Sequence, residues 1–180
     1  MRIVVVADSH APRRWKGVPP ALASELGTAD LILHAGDVCV SEVLDELVKY
    51  APVRVVMGNN DDDAVRAWGA TDDLEFQAEG VRIAMIHIAG PTQGRGRRMR
   101  RRFPHADVVV FGHSHIPWDG VEDGVHLLNP GSVADPRREP SPSFAVLTVD
   151  AGTWGTEIVR FPPTDAKSDG QATLAHRGLT

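Results

Sequence analysis

The chain has 180 residues, and 19 Lys and Arg against 24 Asp and Glu give it a formal net charge of −5. This length is typical of one domain, and such a chain buries about 70% of its unfolded surface, enough for a sizeable core. Its longest apolar runs, 3–7 and 108–111, are far below the roughly 20 residues that cross a bilayer, and residues 1–30 lack a signal-peptide pattern, so we expect no membrane span and a cytoplasmic location.

Short apolar runs rich in β-branched residues predict buried strands. The runs cover residues 2–7, 31–33, 53–57, 81–86 and 107–111. The segments between the first three runs have helical features. Residues 20–26 begin with a proline that suits a first helical turn, and residues 41–50 begin with a serine that we predict to be the N-cap. In the second helix Leu44, Leu47 and Val48 share one face, which we expect to be buried. The alternation predicts a βαβαβ unit with parallel strands.

Two later segments have the pattern of β-hairpins. Residues 74–78 and 81–86 flank a turn that contains glycine, and residues 143–149 and 156–161 flank another. Antiparallel strands therefore follow the parallel ones. We expect an α/β fold in which two mixed β-sheets pack together with helices outside them.

The end of the chain differs in composition. Residues 162–180 are polar and small and show no periodicity. Such a composition predicts a flexible C-terminal tail, which leaves residues 1–161 as the folded domain.

Polar side chains that can bind metals follow all five apolar runs. Ligands bind at the carboxyl ends of strands in open α/β sheets, so we expect these residues to converge on one site. A single histidine at a strand end is most simply a hydrogen-bonded structural residue, but five coincident placements are hard to explain in that way. The candidate metal ligands are Asp8, His10, Asp37, Asn59, His87, His113 and His115.

The chemistry of these seven residues favours two metal ions. Cys39 is the sole cysteine, so neither an intrachain disulfide nor a cysteine-rich metal site can form. Seven ligands are too many for one tetrahedral ion, and a bridging carboxylate places two ions about 3.5–4 Å apart. Imidazole argues against a pure magnesium or calcium site. The predicted cofactors are therefore two divalent transition-metal ions, with manganese preferred and iron, zinc and nickel as alternatives.

The order and spacing of these motifs resemble those of the calcineurin-like metallophosphoesterases. The matching motifs are Asp8-x-His10, Gly36-Asp37, Gly58-Asn59-x-Asp61, His87 and Gly112-His113-x-His115. Residues 112–117 and 129–132 are similar to segments of the small bacterial and archaeal phosphodiesterase branch, and the likeness covers roughly residues 1–160. The resemblance implies a four-layer αββα sandwich and the hydrolysis of phosphoesters, with phosphodiesters as the favoured class.

The resemblance also implies a role for each ligand. It implies one group of ligands for each ion, with Asp37 bridging the two ions. The first group is Asp8, His10 and His115, and the second is Asn59, His87 and His113. A hydroxide held between the ions is the implied nucleophile for in-line attack on phosphorus. The residues assigned to catalysis are Asp37, Asn59 and His10.

Two positions depart from the family pattern. Many relatives have histidine at the position of Asn60, where it assists the leaving group, and an asparagine side chain cannot donate a proton at a suitable pKa. We therefore assign Asn60 to substrate binding and expect slower or diester-directed chemistry. The second departure follows His87, where close relatives have glycine immediately and this chain has Ile88. That difference concerns the local loop and not the ligand.

Residues 95–102 contain six arginines in eight positions, which leaves the rest of the chain strongly acidic. Two interpretations stay open. The segment is either a solvated helix with Met99 and Phe103 turned inward, or a rim that attracts the phosphate of a small phosphoester substrate. Nucleic acid is compatible with this charge but is not favoured, because aromatic residues do not interleave the arginines.

Several further residues have simpler interpretations. His34 lies three residues before Asp37 and either hydrogen-bonds beside the site or packs at the strand end. We predict that Cys39 is a small buried apolar residue and that residues 129–132 form a turn. Surface positions are predicted for three histidines, His105, His126 and His176.

A second class of function fits the same fold. Retromer-subunit relatives resemble these proteins but act through protein contacts, and they tend to lose ligands that are all present in this chain. The alternative is therefore a weakly active or inactive scaffold, and the metal content per chain separates it from an enzyme. The sequence leaves the physiological substrate and the oligomeric state open, a homo-oligomer included.

Overall fold

The computed structural model describes residues 1–163 as ten strands and four helices. His176 and all but the first two residues of the predicted tail lie outside the described residues. In chain order the elements are β1 (Arg2–Val6), α1 (Pro20–Leu26), β2 (Leu31–His34), α2 (Glu42–Leu47), β3 (Val53–Val55), α3 (Asp63–Trp68), β4 (Asp73–Ala78), β5 (Val81–Ile86), α4 (Arg95–Arg102), β6 (Val108–Val110), β7 (Trp118–Glu122), β8 (Val125–Asn129), β9 (Ser143–Asp150) and β10 (Thr153–Arg160).

The strands form two five-stranded sheets, and both are mixed. The first sheet has the order β10-β9-β1-β2-β3, and its β1, β2 and β3 are parallel, which confirms the predicted βαβαβ unit. The second has the order β4-β5-β6-β8-β7, with antiparallel strands at both edges. Both predicted hairpins are present, as β4–β5 and β9–β10.

The alternation of side chains along β1 divides the core into layers. Ile3 and Val5 point into an apolar cluster between the two sheets, which also contains Met85 of β5. Val4 and Val6 point to the opposite face, where side chains of α1, α2 and α3 cover them. Side chains alternate between the two faces of a strand, and an internal strand of a layered α/β fold must bury both faces, as β1 does.

Helix α4 covers the outer face of the second sheet. Met99 and Phe103 are buried there against Val109, as predicted from their spacing. The layers are therefore helices, sheet, sheet and helix, and the predicted four-layer αββα sandwich is confirmed. Among residues 1–163, no helix combines the length and the apolar character needed to cross a membrane.

Helix α2 differs from its prediction at both ends. Ser41 has helical backbone angles and its side chain makes no capping hydrogen bond, so the predicted N-cap interaction is wrong. The helix ends at Leu47, which leaves Val48 at the C-cap with 46% of its surface exposed, while Val43 is buried with Leu44 and Leu47.

Three elements have no counterpart in the sequence prediction. Helix α3 is only six residues long, and the side chain of Asp62 caps it by accepting the N–H groups of Ala64 and Val65. Strands β7 and β8 form a hairpin around Asp123 and Gly124. The β7 sequence is mostly exposed and has no apolar run, so the pattern that identifies buried strands is absent there.

Candidate metal centre

Six of the seven candidate ligands meet where β1, β2, β5 and β6 end. They are Asp8, His10, Asp37, His87, His113 and His115. All except His87 have φ between +46° and +70°, a region that costs a residue with a side chain about 1–3 kcal/mol. Gly36 has φ +90°, and a Cβ at this position would lie 2.7 Å from His87 Nδ1. The strands therefore converge through backbone conformations that the rest of the fold must stabilise.

The first group of ligand side chains is Asp8, His10 and His115. The His115 Nδ1–H donates to the carbonyl oxygen of Asp135, which fixes the lone pair on Nε2. That Nε2 lies 3.3 Å from Asp8 Oδ1 and 3.1 Å from His10 Nε2. Asp8 Oδ1 is buried and has no hydrogen-bond partner among the described residues. Two acceptors that face each other in a buried position fit a bound cation.

The second group repeats this arrangement with Asp37, His87 and His113. The Nδ1–H of His87 donates to the carbonyl oxygen of Ala35 over 2.6 Å, so Nε2 carries the lone pair. Nε2 lies 3.4 Å from Asp37 Oδ1 and, within the described chain, is another buried atom without a hydrogen-bond partner. Burial lowers the pKa of His87, but contact with Asp37 and the charges of Asp8 and Asp37 outweigh burial and raise it. The field at Nε2 therefore favours a cation.

Asp37 lies between the two groups. Its Oδ2 is 3.5 Å from His10 Nε2 and its Oδ1 is 3.4 Å from His87 Nε2. Burial alone raises the pKa of Asp37, but contact with His87 and hydrogen bonds from Asn60 reverse this effect, and the net pKa is lowered. A buried carboxylate that stays ionised, with one oxygen toward each group, has the geometry of a bridging ligand.

The two asparagines of the third strand end have different surroundings. Asn59 is exposed and lines a surface depression together with His87 and Asp61. Asn60 donates to Asp37 twice, from its backbone N to Oδ1 over 2.9 Å and from Nδ2 to Oδ2 over 2.7 Å. The side chain that we assigned to substrate binding thus also orients the central carboxylate.

The comparison with known families rests on this geometry. A family model described as the calcineurin-like phosphoesterase superfamily domain matches residues 1–152. The chain belongs to this superfamily. The family that the motifs resemble is thereby confirmed.

Relatives of this calcineurin-like chain span most of its length. A probable metallophosphoesterase of Methanothermobacter thermautotrophicus is 36% identical over 166 residues, which cover 89% of this chain and 92% of the relative. The zinc complex of Vps29 from Entamoeba histolytica has a TM-score of 0.71 at 24% identity and covers 89% of this chain and 99% of that one. A novel archaeal phosphodiesterase has a TM-score of 0.65 at 18% identity and covers 88% of this chain and 100% of that one. At these identities the two structures show a shared fold alone.

Asp61 supports the candidate metal centre of this calcineurin-like domain through the backbone. Its carboxylate accepts the N–H groups of Gly58 over 2.7 Å, Asp37 over 3.1 Å and Cys39 over 2.6 Å. The loops after β2 and β3 are therefore joined at one side chain. The sequence motif contains Asp61 but assigns it no role. Only its hydrogen bond from Gly58 is local in sequence, and the bonds from residues 37 and 39 depend on the fold.

The segment predicted as a turn, 129–132, also holds the centre in place. Asn129 donates from Nδ2 to the carbonyl oxygen of Gly112 over 2.9 Å, and the Ser132 hydroxyl donates to the carbonyl oxygen of Asp8 over 2.7 Å. Both side chains are buried. They connect the loops that carry Asp8 and His113 to β8 and to the loop that follows it.

His34 and Cys39 also lie beside the candidate ligands. His34 is fully buried, with Nε2 3.1 Å from the Ser9 hydroxyl, so its hydrogen bond lies beside the site as the first of our two interpretations requires. Cys39 is half-buried with Sγ 3.7 Å from His10 Nδ1, so the prediction of a buried apolar residue is wrong. Burial and the charges of Asp61 and Asp37 raise the pKa of Cys39 to about 12, which makes it a poor nucleophile.

Most arginines of α4 fit the interpretation as a solvated helix, and one fits the interpretation as a rim that attracts phosphate. Arg98 and Arg100 donate to backbone carbonyl groups, and Arg102 pairs with Asp73. Arg97 and Arg101 are exposed. Arg95 is buried and lines a groove beside His113. The run is thus mostly a structural surface, with one member next to the candidate centre.

Two of the remaining histidines are described. His105 is exposed, as predicted. His126 is half-buried, so the surface prediction holds only in part, and its imidazole makes specific contacts: Nε2–H donates to Asp119 over 2.6 Å and Nδ1 accepts the Trp154 Nε1–H over 3.0 Å. The contacts of His126 with Asp119 and Trp154 join β7 and β8 of one sheet to β10 of the other.

Proposed function

We propose that this metallophosphoesterase hydrolyses small phosphodiesters with two divalent transition-metal ions. The observation that carries the proposal is the pair of buried acceptor contacts, Asp8 Oδ1 with His115 Nε2 and Asp37 Oδ1 with His87 Nε2. Hydrogen bonds to carbonyl oxygens fix both histidine tautomers, so each contact brings two lone pairs together. A proton or a metal ion between the two acceptors would make each contact favourable. Two such contacts side by side support two ions in preference to one.

The proposed ligand sets start from the two groups and add Asn59, which lines the depression beside His87. Asp8, His10 and His115 would hold one ion, and His87, His113 and Asn59 the other. Asp37 would serve both ions. Mixed carboxylate, amide and imidazole ligands are compatible with manganese, which we propose first, and with iron, zinc and nickel.

The side chains of this chain prepare the site for an anionic ester. When bound, the two ions supply Lewis acidity and lower the pKa of water so that a nucleophile is available near neutral pH. Asn60 keeps the Asp37 carboxylate in one orientation, and its amide is near enough to the centre to contact a phosphoryl oxygen. Because Asn60 cannot donate a proton to the leaving group, we expect activity on esters whose leaving groups need no protonation.

The test is the hydrolysis of bis(4-nitrophenyl) phosphate by the metal-loaded protein. With manganese we expect release of 4-nitrophenolate, and we expect Asp37→Ala to abolish it. Glu157→Gln is the control, since it also removes one carboxylate but at an exposed position on β10, outside the centre. The same assay with 4-nitrophenyl phosphate reports the preference for diester over monoester. No turnover with manganese, iron, zinc or nickel contradicts the proposal.

A scaffold that acts through protein contacts is the alternative, and the similarity to Vps29 concerns only the fold. The metal content measured by elemental analysis separates the two functions. An enzyme of the proposed kind retains about two ions per chain. Fewer ions and no turnover support the scaffold. We further propose that the protein acts in the cytoplasm on small phosphoesters, and nucleic acid is not a favoured partner.

A further inference from the structure

A groove begins beside His113 and continues past the start of α4. One wall is formed by residues 88–92, which follow β5, and the other by residues 111–114, which follow β6. Arg95 lines this groove although only 7% of its surface is exposed. Thr92 and Ser114 line it as well. A guanidinium group and two hydroxyl groups are thus arranged next to a candidate metal ligand.

Among the residues that the structure describes, no counter-ion contacts the guanidinium of Arg95 directly. Its Nε–H donates to the carbonyl oxygen of Gly90 over 3.5 Å and its Nη2 donates to the Thr92 hydroxyl over 3.1 Å. Its guanidinium lies over the ring of Phe111, 4.8 Å from the centroid. Within residues 1–163, Nη1 makes no hydrogen bond and no carboxylate lies within ion-pair distance of the guanidinium. All of its partners are therefore neutral.

The charge of Glu122 acts on Arg95, but its carboxylate is engaged elsewhere. Its Oε2 accepts the backbone N–H of Gly96 over 3.0 Å. Burial lowers the pKa of Arg95, and the charge of Glu122 only partly offsets this effect. A mostly buried guanidinium is costly unless an anion pairs with it. The groove presents the donors that such an anion needs.

Arg98 holds the wall of the groove in a fixed shape. Its guanidinium donates to three carbonyl groups of this loop, from Nε to Ala89 over 3.3 Å, from Nη1 to Gln93 over 2.9 Å and from Nη2 to Pro91. A planar guanidinium holds its donors in a fixed fork and can fix three separated carbonyl groups in one geometry, whereas the three donors of a lysine share one rotatable nitrogen. The loop is therefore organised before a ligand arrives, which reduces the entropy cost of binding.

We infer that Arg95 binds a second phosphate group of the substrate in this groove while the scissile phosphodiester lies at the metal centre. This inference rests on the proposed function. A phosphate matches a guanidinium fork and can accept from the hydroxyl group of Thr92 at the same time. The hydroxyl of Thr92 accepts from Arg95, so its own proton is free for a ligand oxygen. The favoured substrates are thus phosphodiesters that carry an additional phosphate on the group next to the scissile bond.

The test compares two substrates that release the same product. Thymidine 5′-(4-nitrophenyl phosphate) has a 3′-hydroxyl, and its 3′-phosphorylated form adds the second phosphate without changing the scissile bond. With the manganese-loaded protein we expect kcat/KM to be about ten-fold higher for the 3′-phosphorylated substrate, the factor that a charge-assisted hydrogen bond supplies. Arg95→Gln should reduce this ratio to about one, and Arg95→Lys should retain only part of it.

Arg97→Gln is the matched control, because Arg97 is exposed on the same helix and its loss changes the net charge equally. We expect it to keep the wild-type ratio. Because the ratio is measured within each variant, a smaller folded fraction does not alter it. A wild-type ratio near one, or a ratio unchanged in Arg95→Gln, overturns the inference.

A binding measurement separates failure of the subsite from failure of the proposed function. If neither substrate is hydrolysed with any of the four metals, the proposed function is contradicted. Calorimetry with thymidine 3′,5′-bisphosphate and thymidine 5′-phosphate then tests Arg95 directly. Tighter binding of the bisphosphate by the wild type but not by Arg95→Gln supports the subsite, and equal affinities for the two nucleotides overturn it.

Discussion

Asp61 shows how one side chain can determine the geometry of two ligand loops. Its two carboxylate oxygens accept three backbone N–H groups, from residues 37, 39 and 58. An amide in its place has one acceptor oxygen and presents an NH2 group to a backbone donor. Asp61→Asn should therefore lower the free energy of unfolding by about 2–3 kcal/mol and also weaken metal binding.

Urea unfolding with manganese and with a chelator measures both effects of Asp61→Asn. Asp72→Asn serves as the control for stability, because the Asp72 carboxylate is exposed and pairs with Arg66 at the surface. Such a pair contributes about 0–1 kcal/mol. A loss of stability in Asp61→Asn no larger than in the control would show that the three hydrogen bonds do not organise the loops.

His34 should make stability depend on pH. Burial lowers its pKa to about 3, whereas an unfolded histidine titrates near pH 6.5. Below pH 6.5 the unfolded chain takes up a proton that the folded chain does not bind until the pH approaches 3. The contribution of this group is therefore complete above pH 6.5 and is lost as the pH falls toward 3, by at most about 1.4 kcal/mol per pH unit.

The His34 effect can be isolated by substitution. His34→Gln keeps a polar group near Ser9 but does not titrate, so its unfolding free energy should fall less steeply between pH 6.5 and 5 than that of the wild type. His105→Gln should retain the wild-type slope, because His105 is exposed. Equal slopes for His34→Gln and the wild type, measured in a chelator, would mean that His34 is not held neutral in the folded protein.

Among the elements, β7 and β10 show how the two sheets are joined at an edge. Asp119 of β7 accepts from the Thr156 hydroxyl of β10 over 2.7 Å and from His126 of β8 over 2.6 Å. Trp154 of β10 donates to the other nitrogen of the same imidazole. This polar chain is one specific contact between strands that belong to different sheets.

A double-mutant cycle measures the strength of that contact. Asp119→Ala leaves two donors without their acceptor and should reduce the free energy of unfolding by about 1–2 kcal/mol. Thr156→Val should cost less, and the two changes together should show a coupling energy of about 0.5–1 kcal/mol, since the pair is only partly shielded from water. Additive effects in thermal or urea unfolding would indicate that the hydrogen bond across the sheets does not stabilise the fold.

At the scale of the whole molecule, the sequence predicts those features that a repeated local pattern encodes. The β1 run alternates between two buried faces, and the polar residues after each strand predict the position of the centre. Asn129 and Ser132 could not be assigned in this way, because their role depends on contacts with Gly112 and Asp8, which are far away in the sequence. The same applies to β7, whose exposed residues carry no periodic signal and whose pairing depends on β8.

In the whole molecule, a residue that favours metal binding can lower the stability of the metal-free protein. Substitution of Asp8 tests this conflict. Its Oδ2 accepts the His113 N–H over 3.0 Å, but its buried Oδ1 faces the lone pair of His115 Nε2. In Asp8→Asn the amide can keep the first contact and donate to His115 in the second. We expect this variant to be more stable than the wild type without metal, by about 1–2 kcal/mol, because a buried charge and an unpaired acceptor are both removed.

With metal the order of stability should reverse. An ion at a hundred times its dissociation constant stabilises the folded wild type by about 2.7 kcal/mol, and Asp8→Asn should lose most of that gain because it lacks a charged ligand. Thermal unfolding followed by circular dichroism, in a chelator and in excess manganese, measures both signs on the same two proteins. For a chain of this size 1 kcal/mol corresponds to about 2–4 °C in Tm. If Asp8→Asn is less stable by the same amount in both solutions, Asp8 has a structural role and the unpaired acceptor does not indicate a metal ligand.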